Sequence, residues 1–146
     1  MSDKKEYTDE EIMNISEDEI LQRLLGGYKF PEETVFLKDI GVPLTFKGLD
    51  EKTLTKLKNR CTYPVKKGNF TVQELDSDEY NAVVVAAACT NFDFNNPKLL
   101  NPLGLSSGAE YLRRKLPAGI LTTLVNKVLE LSGFGNDKVK NVEIKN

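Results

Sequence analysis

The sequence has no histidine among its 146 residues and only two cysteines, Cys61 and Cys89. Without histidine there is no Ser-His or Cys-His nucleophile system, and the commonest general base and zinc ligand are missing. The two cysteines form no CxxC pair, and we expect both to be free thiols on the apolar faces of helices. No GxxxxGK[ST], GxGxxG or EF-hand sequence is present. We therefore predict a protein that is not an enzyme and that binds no metal or cofactor.

Long apolar runs are also missing. The longest, from Ala82 to Cys89, is much shorter than the roughly 18 apolar residues that a membrane-spanning helix needs. The N-terminus from Met1 to Glu11 is polar and acidic, without the basic and apolar blocks of a secretory signal. We therefore predict a cytoplasmic protein that does not associate with a membrane.

Charge is unevenly distributed along the chain. Residues 1–50 hold 6 Lys and Arg against 12 Asp and Glu, whereas residues 51–146 hold 14 against 10. Opposite net charges allow the two parts of the chain to attract each other or to offer separate faces to a partner. Blocks of like charge are, however, usually just solvated surface. The tightest carboxylate cluster is Asp76, Asp78 and Glu79 at a predicted helix start, where the helix dipole favours acidic residues without any catalytic role.

One predicted helix carries a cluster of basic side chains, which raises nucleic-acid binding as an alternative function. The cluster consists of Lys52, Lys56, Lys58 and Arg60, followed by Lys66 and Lys67. The whole chain is acidic, however, and no aromatic RNA-stacking motif accompanies the cluster. Lysines on a solvated helix face explain the pattern more simply, so nucleic-acid binding is the weaker interpretation.

The first half of the chain shows helical and then strand-like patterns. Capping boxes at Thr8 and Ser16 predict two short helices, the second ending at Gly26-Gly27. Alternating apolar residues predict a β-hairpin within residues 33–49, and residues 69–75 are a candidate third strand of the same sheet. The segment between Tyr63 and Gly68 is predicted to be a loop, because it contains proline, glycine and two lysines.

Helices are predicted for most of the remaining chain. Their starts are marked by Asp50, Asp76 or Ser77, Asn96, Ser107 and Pro117. The fold class is α+β: a mainly α-helical single domain with one small antiparallel β-sheet. Within it we expect an acidic helical segment (1–32), a core domain (33–134) and a polar, disordered tail (135–146).

The order of these elements resembles the XkdN-like family of phage tail assembly chaperones over roughly residues 33 to 134. The resemblance is densest after Thr90. It rests on an apolar helix ending in Ala88-Cys89-Thr90, on Phe94-Asn95-Asn96-Pro97-Lys98-Leu99-Leu100, on Tyr111-Leu112-Arg113-Arg114-Lys115-Leu116-Pro117, and on Glu130-Leu131-Ser132-Gly133-Phe134.

This resemblance implies a non-catalytic chaperone that binds the tape measure protein, a long helical phage protein, and promotes assembly of the tail tube. Tail tube subunits and further copies of the chain are additional expected partners. The candidate partner-binding residues surround the helix break at Pro117. They are Tyr111, Leu112, Arg113, Arg114, Leu116, Ile120 and Leu124. A structural tail or baseplate accessory protein remains the main alternative.

Overall fold

A computed structural model describes residues 6–135 and 138–142. The chain divides into two compact units, one of residues 1–29 with 136–146 and one of residues 30–135. Within the described parts of the chain, no helix has both the length and the apolar character that crossing a membrane requires. The prediction of a disordered tail falls partly on residues 136–137 and 143–146, which lie outside the described residues.

The described residues of the first unit form two helices, α1 (Asp9–Met13) and α2 (Glu17–Gly26). Both begin as the capping boxes predict, with the Thr8 hydroxyl accepting from the N–H of Glu11 and the Ser16 hydroxyl from the N–H of Glu19. Helix α2 ends at Gly27, whose φ of 70° glycine adopts without steric cost. In the same unit Lys140 forms a 2.8 Å ion pair with Asp9.

The second unit contains two β-hairpins and five helices among its described residues. Strands β1 (Glu32–Leu37) and β2 (Val42–Lys47) form the first hairpin, and β3 (Thr62–Lys67) and β4 (Phe70–Leu75) form the second. The helices are α3 (Glu51–Arg60), α4 (Ser77–Ala88), α5 (Pro97–Leu103), α6 (Gly108–Lys115) and α7 (Ala118–Leu131). The α+β fold class and the first hairpin are confirmed.

The prediction of one sheet with a third strand is wrong, because residues 69–75 pair elsewhere. Strand β4 pairs with β3 in a separate antiparallel ribbon, in which Thr62 faces Leu75 and Lys67 faces Phe70. The predicted loop between Tyr63 and Gly68 is therefore largely strand. Pro64 argues against a central strand, but both strands of a two-stranded ribbon are edges, where a missing N–H is tolerated.

The core of the second unit is built around α4. Ala82, Val84, Val85 and Ala88 on this helix are almost fully buried. They pack with buried apolar side chains of β2, α3, α6 and α7. The sequence of α4 is apolar on nearly all sides, and such a helix is expected only at the centre of a domain. None of the described polar or charged residues is buried.

Two close backbone approaches hold the elements around α4 together. A Cβ on Gly48 would overlap the carbonyl oxygen of Leu131, at the end of α7. A Cβ on Gly108 would lie 2.7 Å from the Cβ of Phe94. Glycine at both positions therefore lets α7 reach the segment after β2 and lets α6 reach residues 91–95, which we call the aromatic turn.

Candidate functional site

The break between α6 and α7 borders a groove on the surface of the second unit. Helix α6 ends at Lys115, and α7 begins after Pro117, which supplies no side-chain cap. The groove has a volume of about 310 Å³ and lies against α4, α6 and α7. Its lining residues are Asp78, Asn81, Arg113, Leu116, Ala118, Leu121, Thr122, Val125 and Asn126. We call it the Pro117 groove; its floor is apolar and its rim polar.

Three consecutive cations stand in the last turn of α6, and the first of them, Arg113, lines the Pro117 groove. Arg113 forms a 3.0 Å hydrogen-bonded ion pair with Glu79 of α4, which holds the two helices together at the surface. Arg114 and Lys115 are exposed and form no ion pair with a described residue. The two free cations can therefore meet acidic groups of a partner, whereas Arg113 mainly joins α6 to α4.

The structure does not bring the seven predicted partner-binding residues together in one site. Arg113 and Leu116 line the Pro117 groove, Arg114 is exposed, and Ile120 is half-buried against the core. Leu112 and Leu124 are only 0% and 2% exposed, so they support the fold and offer no surface to a partner. Tyr111 lines a different groove.

That second groove lies between the first hairpin and the aromatic turn and has a volume of about 360 Å³. We call it the hairpin groove. It is lined by Leu37, Ile40, Val42, Pro43, Leu44, Asn91, Phe92, Phe94, Leu99 and Tyr111. Sequence reasoning misses it because residues near 40 and near 92 meet only in the folded chain. The sequence signal that could have found it is Ile40, an apolar residue placed within a hairpin turn. In the structure the Ile40 side chain is 60% exposed.

The aromatic turn after α4 is mainly structural. Phe94 is buried between Phe92, in an edge-to-face contact at 5.3 Å, and Tyr111 at 6.0 Å. The Asn95 side chain accepts a 2.8 Å hydrogen bond from the N–H of Gly108, which anchors the start of α6. The Asn96 side chain caps α5 through the N–H of Lys98. Of the two phenylalanines in the turn, Phe92 remains exposed and Phe94 is buried.

The predicted charged clusters have structural explanations in the fold. Asp76 caps α4 by accepting from the N–H of Glu79. Lys52, Lys56, Lys58 and Arg60 surround the exposed side of α3, whose opposite side buries Leu54 and Leu57. Among the described residues, no three His, Cys, Asp or Glu side chains lie close enough together to hold a metal ion.

Both cysteines are free thiols, Cys61 buried and Cys89 half-buried. Burial away from water raises the pKa of each thiol, because it disfavours the charged thiolate. Cys89 also donates a 3.3 Å hydrogen bond to the side chain of Asn91. A raised pKa is the opposite of what a reactive nucleophilic cysteine requires.

The fold has a counterpart among solved structures. The crystal structure of the protein YqbN superposes on this chain with a TM-score of 0.54 and 21% sequence identity. The match covers 75% of this chain and 92% of YqbN. The two chains therefore share a fold, while the low identity carries no functional argument. No curated protein matches this sequence.

The family follows from a comparison with family models. Residues 21–145 match the model of the phage XkdN-like tail assembly chaperone proteins. Because this match spans most of the chain, the chain belongs to the XkdN-like family of phage tail assembly chaperones. The predicted resemblance is confirmed, and a general role in phage tail assembly follows from it.

Proposed function

We propose that this chaperone binds the tape measure protein of its phage in the host cytoplasm, without catalysis, until tail tube subunits assemble around it. The Pro117 groove is the observation that carries the proposal. It offers the apolar side chains of Leu116, Leu121 and Val125 within a polar rim. A groove of this kind suits the apolar face of an amphipathic helix, which anchors through side chains three or four positions apart.

The chemistry of the groove agrees with a holding function. Helices of a long tape measure protein expose apolar faces before the tube covers them, and such faces aggregate in water. A small apolar floor contacts only a short helical segment, so affinity for any one segment remains modest and release stays fast. The lining carries one charged group of each sign, Asp78 and Arg113, so the groove accepts segments with either sign of charge beside the apolar side chains.

The experiment is co-expression of the tape measure protein of the same phage with the chaperone. The test variant is Leu121→Lys, which places a charge in the floor of the Pro117 groove. The matched control is Leu103→Lys, which changes an exposed leucine of α5 that does not line the groove. Thermal unfolding of both variants checks that each retains its fold.

The proposal predicts that the parent chain and the control keep the tape measure protein soluble and co-purify with it. Losing one buried leucine contact is expected to weaken binding by about tenfold or more in the Leu121 variant. A tape measure protein that stays soluble and unbound regardless of the chaperone contradicts the proposal. Stoichiometric amounts of the chain in purified particles would favour a structural tail or baseplate component instead.

A further inference from the structure

The second hairpin, formed by β3 and β4, lies outside the core of its unit. Its strands pair with each other, and neither contributes a side chain to the apolar cluster around α4. No residue of either strand is buried. A two-stranded ribbon is only marginally stable in water, whereas three or more strands with an apolar face are stable by themselves. The ribbon would therefore gain from the addition of a further strand.

The hydrogen bonds of the ribbon show which of its backbone groups point outward. The N–H of Asp76 donates to the carbonyl of Cys61 at 2.8 Å, next to the first pair of the ladder. Hydrogen-bonded and non-hydrogen-bonded pairs alternate along an antiparallel ladder, so every second pair after this one directs its N–H and C=O groups to the free edges. The outward-pointing residues are Thr62, Pro64 and Lys66 on β3 and Thr71, Gln73 and Leu75 on β4.

The two edges of the ribbon differ in their protection against pairing with another strand. On β3, Pro64 has no N–H to donate, and Lys66 adds a charge; natural edge strands use both devices to prevent association. On β4, Thr71 and Gln73 are uncharged and have N–H groups. Among the described residues, none hydrogen-bonds to the outward backbone groups of Thr71 and Gln73. The edge of β4 is therefore open to an extended strand.

The other strands described here are poor partners for this edge. The outer edge of β2 is already hydrogen-bonded by Thr90 and Asn91. Strand β1 begins with Glu32 and Glu33, and charged side chains discourage pairing at an edge. A helix is excluded as well, because its backbone groups bond within the helix. Strand β4 of a second copy, in contrast, offers an edge that is open in the same way.

We propose that β4 of one copy of the chain pairs antiparallel with β4 of a second copy, across a two-fold axis at Val72. The two ribbons then form one four-stranded sheet. In this register Thr71 of each copy lies opposite Gln73 of the other, so their outward N–H and C=O groups bond to each other. The contact is isologous, because the same residues supply both sides of it.

The side chains of the ribbon agree with this register. One face carries an ion pair of 3.0 Å between Lys67 and Glu74. The same face carries the apolar residues Tyr63, Val65, Phe70 and Val72. Phe70 is 75% exposed and Val72 is 37% exposed. In the dimer the two Val72 side chains meet at the axis, and Phe70 of each copy lies beside Glu74 of the other. No like charges are directly opposite, which is the arrangement that would oppose the pairing.

This contact uses neither the Pro117 groove nor the hairpin groove, and it does not rest on the proposed function. It is tested on the full chain without any other protein. A chain that binds the tape measure protein as a monomer fails only this inference, and a dimer without such binding fails only the proposed function. One strand pair buries less than the roughly 800 Å² per partner of a standard interface, so we expect a reversible dimer.

The first test removes an outward N–H from β4 and measures the dimer dissociation constant by sedimentation equilibrium. Thr71→Pro removes a donor from the interface, but it removes no hydrogen bond from the ladder of its own ribbon. We expect dimerisation to weaken by about tenfold or more, because the two-fold axis repeats the loss. Lys66→Pro is the matched control, since Lys66 lies directly opposite Thr71 and points outward from β3. It should leave the dissociation constant unchanged. A monomeric parent chain, or equal weakening by both prolines, overturns the proposal.

The second test locates the axis by disulfide formation and needs no proline in the ribbon. At the axis the two copies of residue 72 form a non-hydrogen-bonded pair, whose Cα atoms lie about 4.5 Å apart, within the reach of a disulfide. Val72→Cys is therefore expected to give a disulfide-linked dimer on mild oxidation.

Val65→Cys is the matched control for this cross-link, because Val65 lies beside Val72 on the same face of the ribbon. In the proposed sheet its two copies are three strand spacings apart, about 14 Å, so they should not cross-link. The parent chain, with free Cys61 and Cys89, gives the background. A Val72 variant that stays uncrosslinked, or a Val65 variant that cross-links as readily, overturns the pairing through β4.

Discussion

The side chain of Asn91 hydrogen-bonds to the backbone of Thr45, with its oxygen accepting from the Thr45 N–H at 2.9 Å. Its amide nitrogen also donates to the carbonyl of Pro43 at 2.9 Å. The Asn91 side chain thus hydrogen-bonds to the edge of β2 that does not pair with β1, in the way that the backbone of a neighbouring strand would. It fixes the segment after α4 beside the first hairpin, which forms one wall of the hairpin groove.

We predict that Asn91→Ala lowers the free energy of unfolding by about 1–3 kcal/mol, because two backbone groups of β2 lose their partner. Urea unfolding followed by circular dichroism measures this change. Asn59→Ala is the control, since its side chain is exposed on α3 and forms no hydrogen bond with the described residues of β2. An equal loss in both variants would show that the Asn91 bonds add nothing specific to the fold.

The close approach of Gly48 to Leu131 gives a second prediction. Gly48→Ala forces its new methyl group against a backbone carbonyl that cannot turn away, and we expect a loss of about 1–3 kcal/mol. Gly119→Ala is the matched control, because the space around its Cβ is open and the residue lies in α7. Gly119→Ala is expected to raise the free energy of unfolding by about 0.5–1 kcal/mol, because alanine has a higher helix propensity than glycine. Thermal unfolding of both variants should shift in opposite directions.

Sequence reasoning located the helices well because their signals are local. Asp50 and Ser107 each cap a helix through an N–H three residues ahead, so both partners lie within one short stretch of sequence. The first hairpin was similarly predictable from alternating apolar residues around a short turn. The second hairpin was missed because Pro64 suggested a loop, and nothing local shows that its strand is an edge.

The candidate site was less predictable, because grooves form between residues that are distant in sequence. Leu112 and Leu116 look equivalent in an apolar helical pattern, yet the first is buried in the core and the second lines the Pro117 groove. Only the packing of α6 on α4 decides which side of the helix is covered. For the same reason, no sequence pattern indicates that Asp78 of α4 and Arg113 of α6 line one groove.

The assignment of Leu112 to the core is itself testable. Leu112→Ala removes a fully buried side chain, and we expect a loss of about 2–5 kcal/mol from the cavity that remains. Leu103→Ala, at an exposed position of α5, is the control and is expected to cost less than about 1 kcal/mol. Chemical denaturation measures both. A small effect at Leu112 would contradict its assignment to the core and return it to the candidate binding surface.

The cap of α3 predicts a specific dependence of stability on pH. Hydrogen bonds from the side chain and backbone N–H of Thr53 hold the pKa of the Asp50 carboxyl below its ordinary value of 3.8. The stabilisation by the charged cap is therefore present above pH 3.8 and is lost as the pH falls through the lower pKa of the folded protein. We expect Asp50→Ala to be less stable than the parent at neutral pH and to approach it in acid. Asp50→Asn caps without titrating and should keep its stability relative to Asp50→Ala at every pH. Thermal unfolding midpoints of the three proteins are measured from neutral to acidic pH. Differences between these midpoints that stay constant over that range would contradict this role of Asp50.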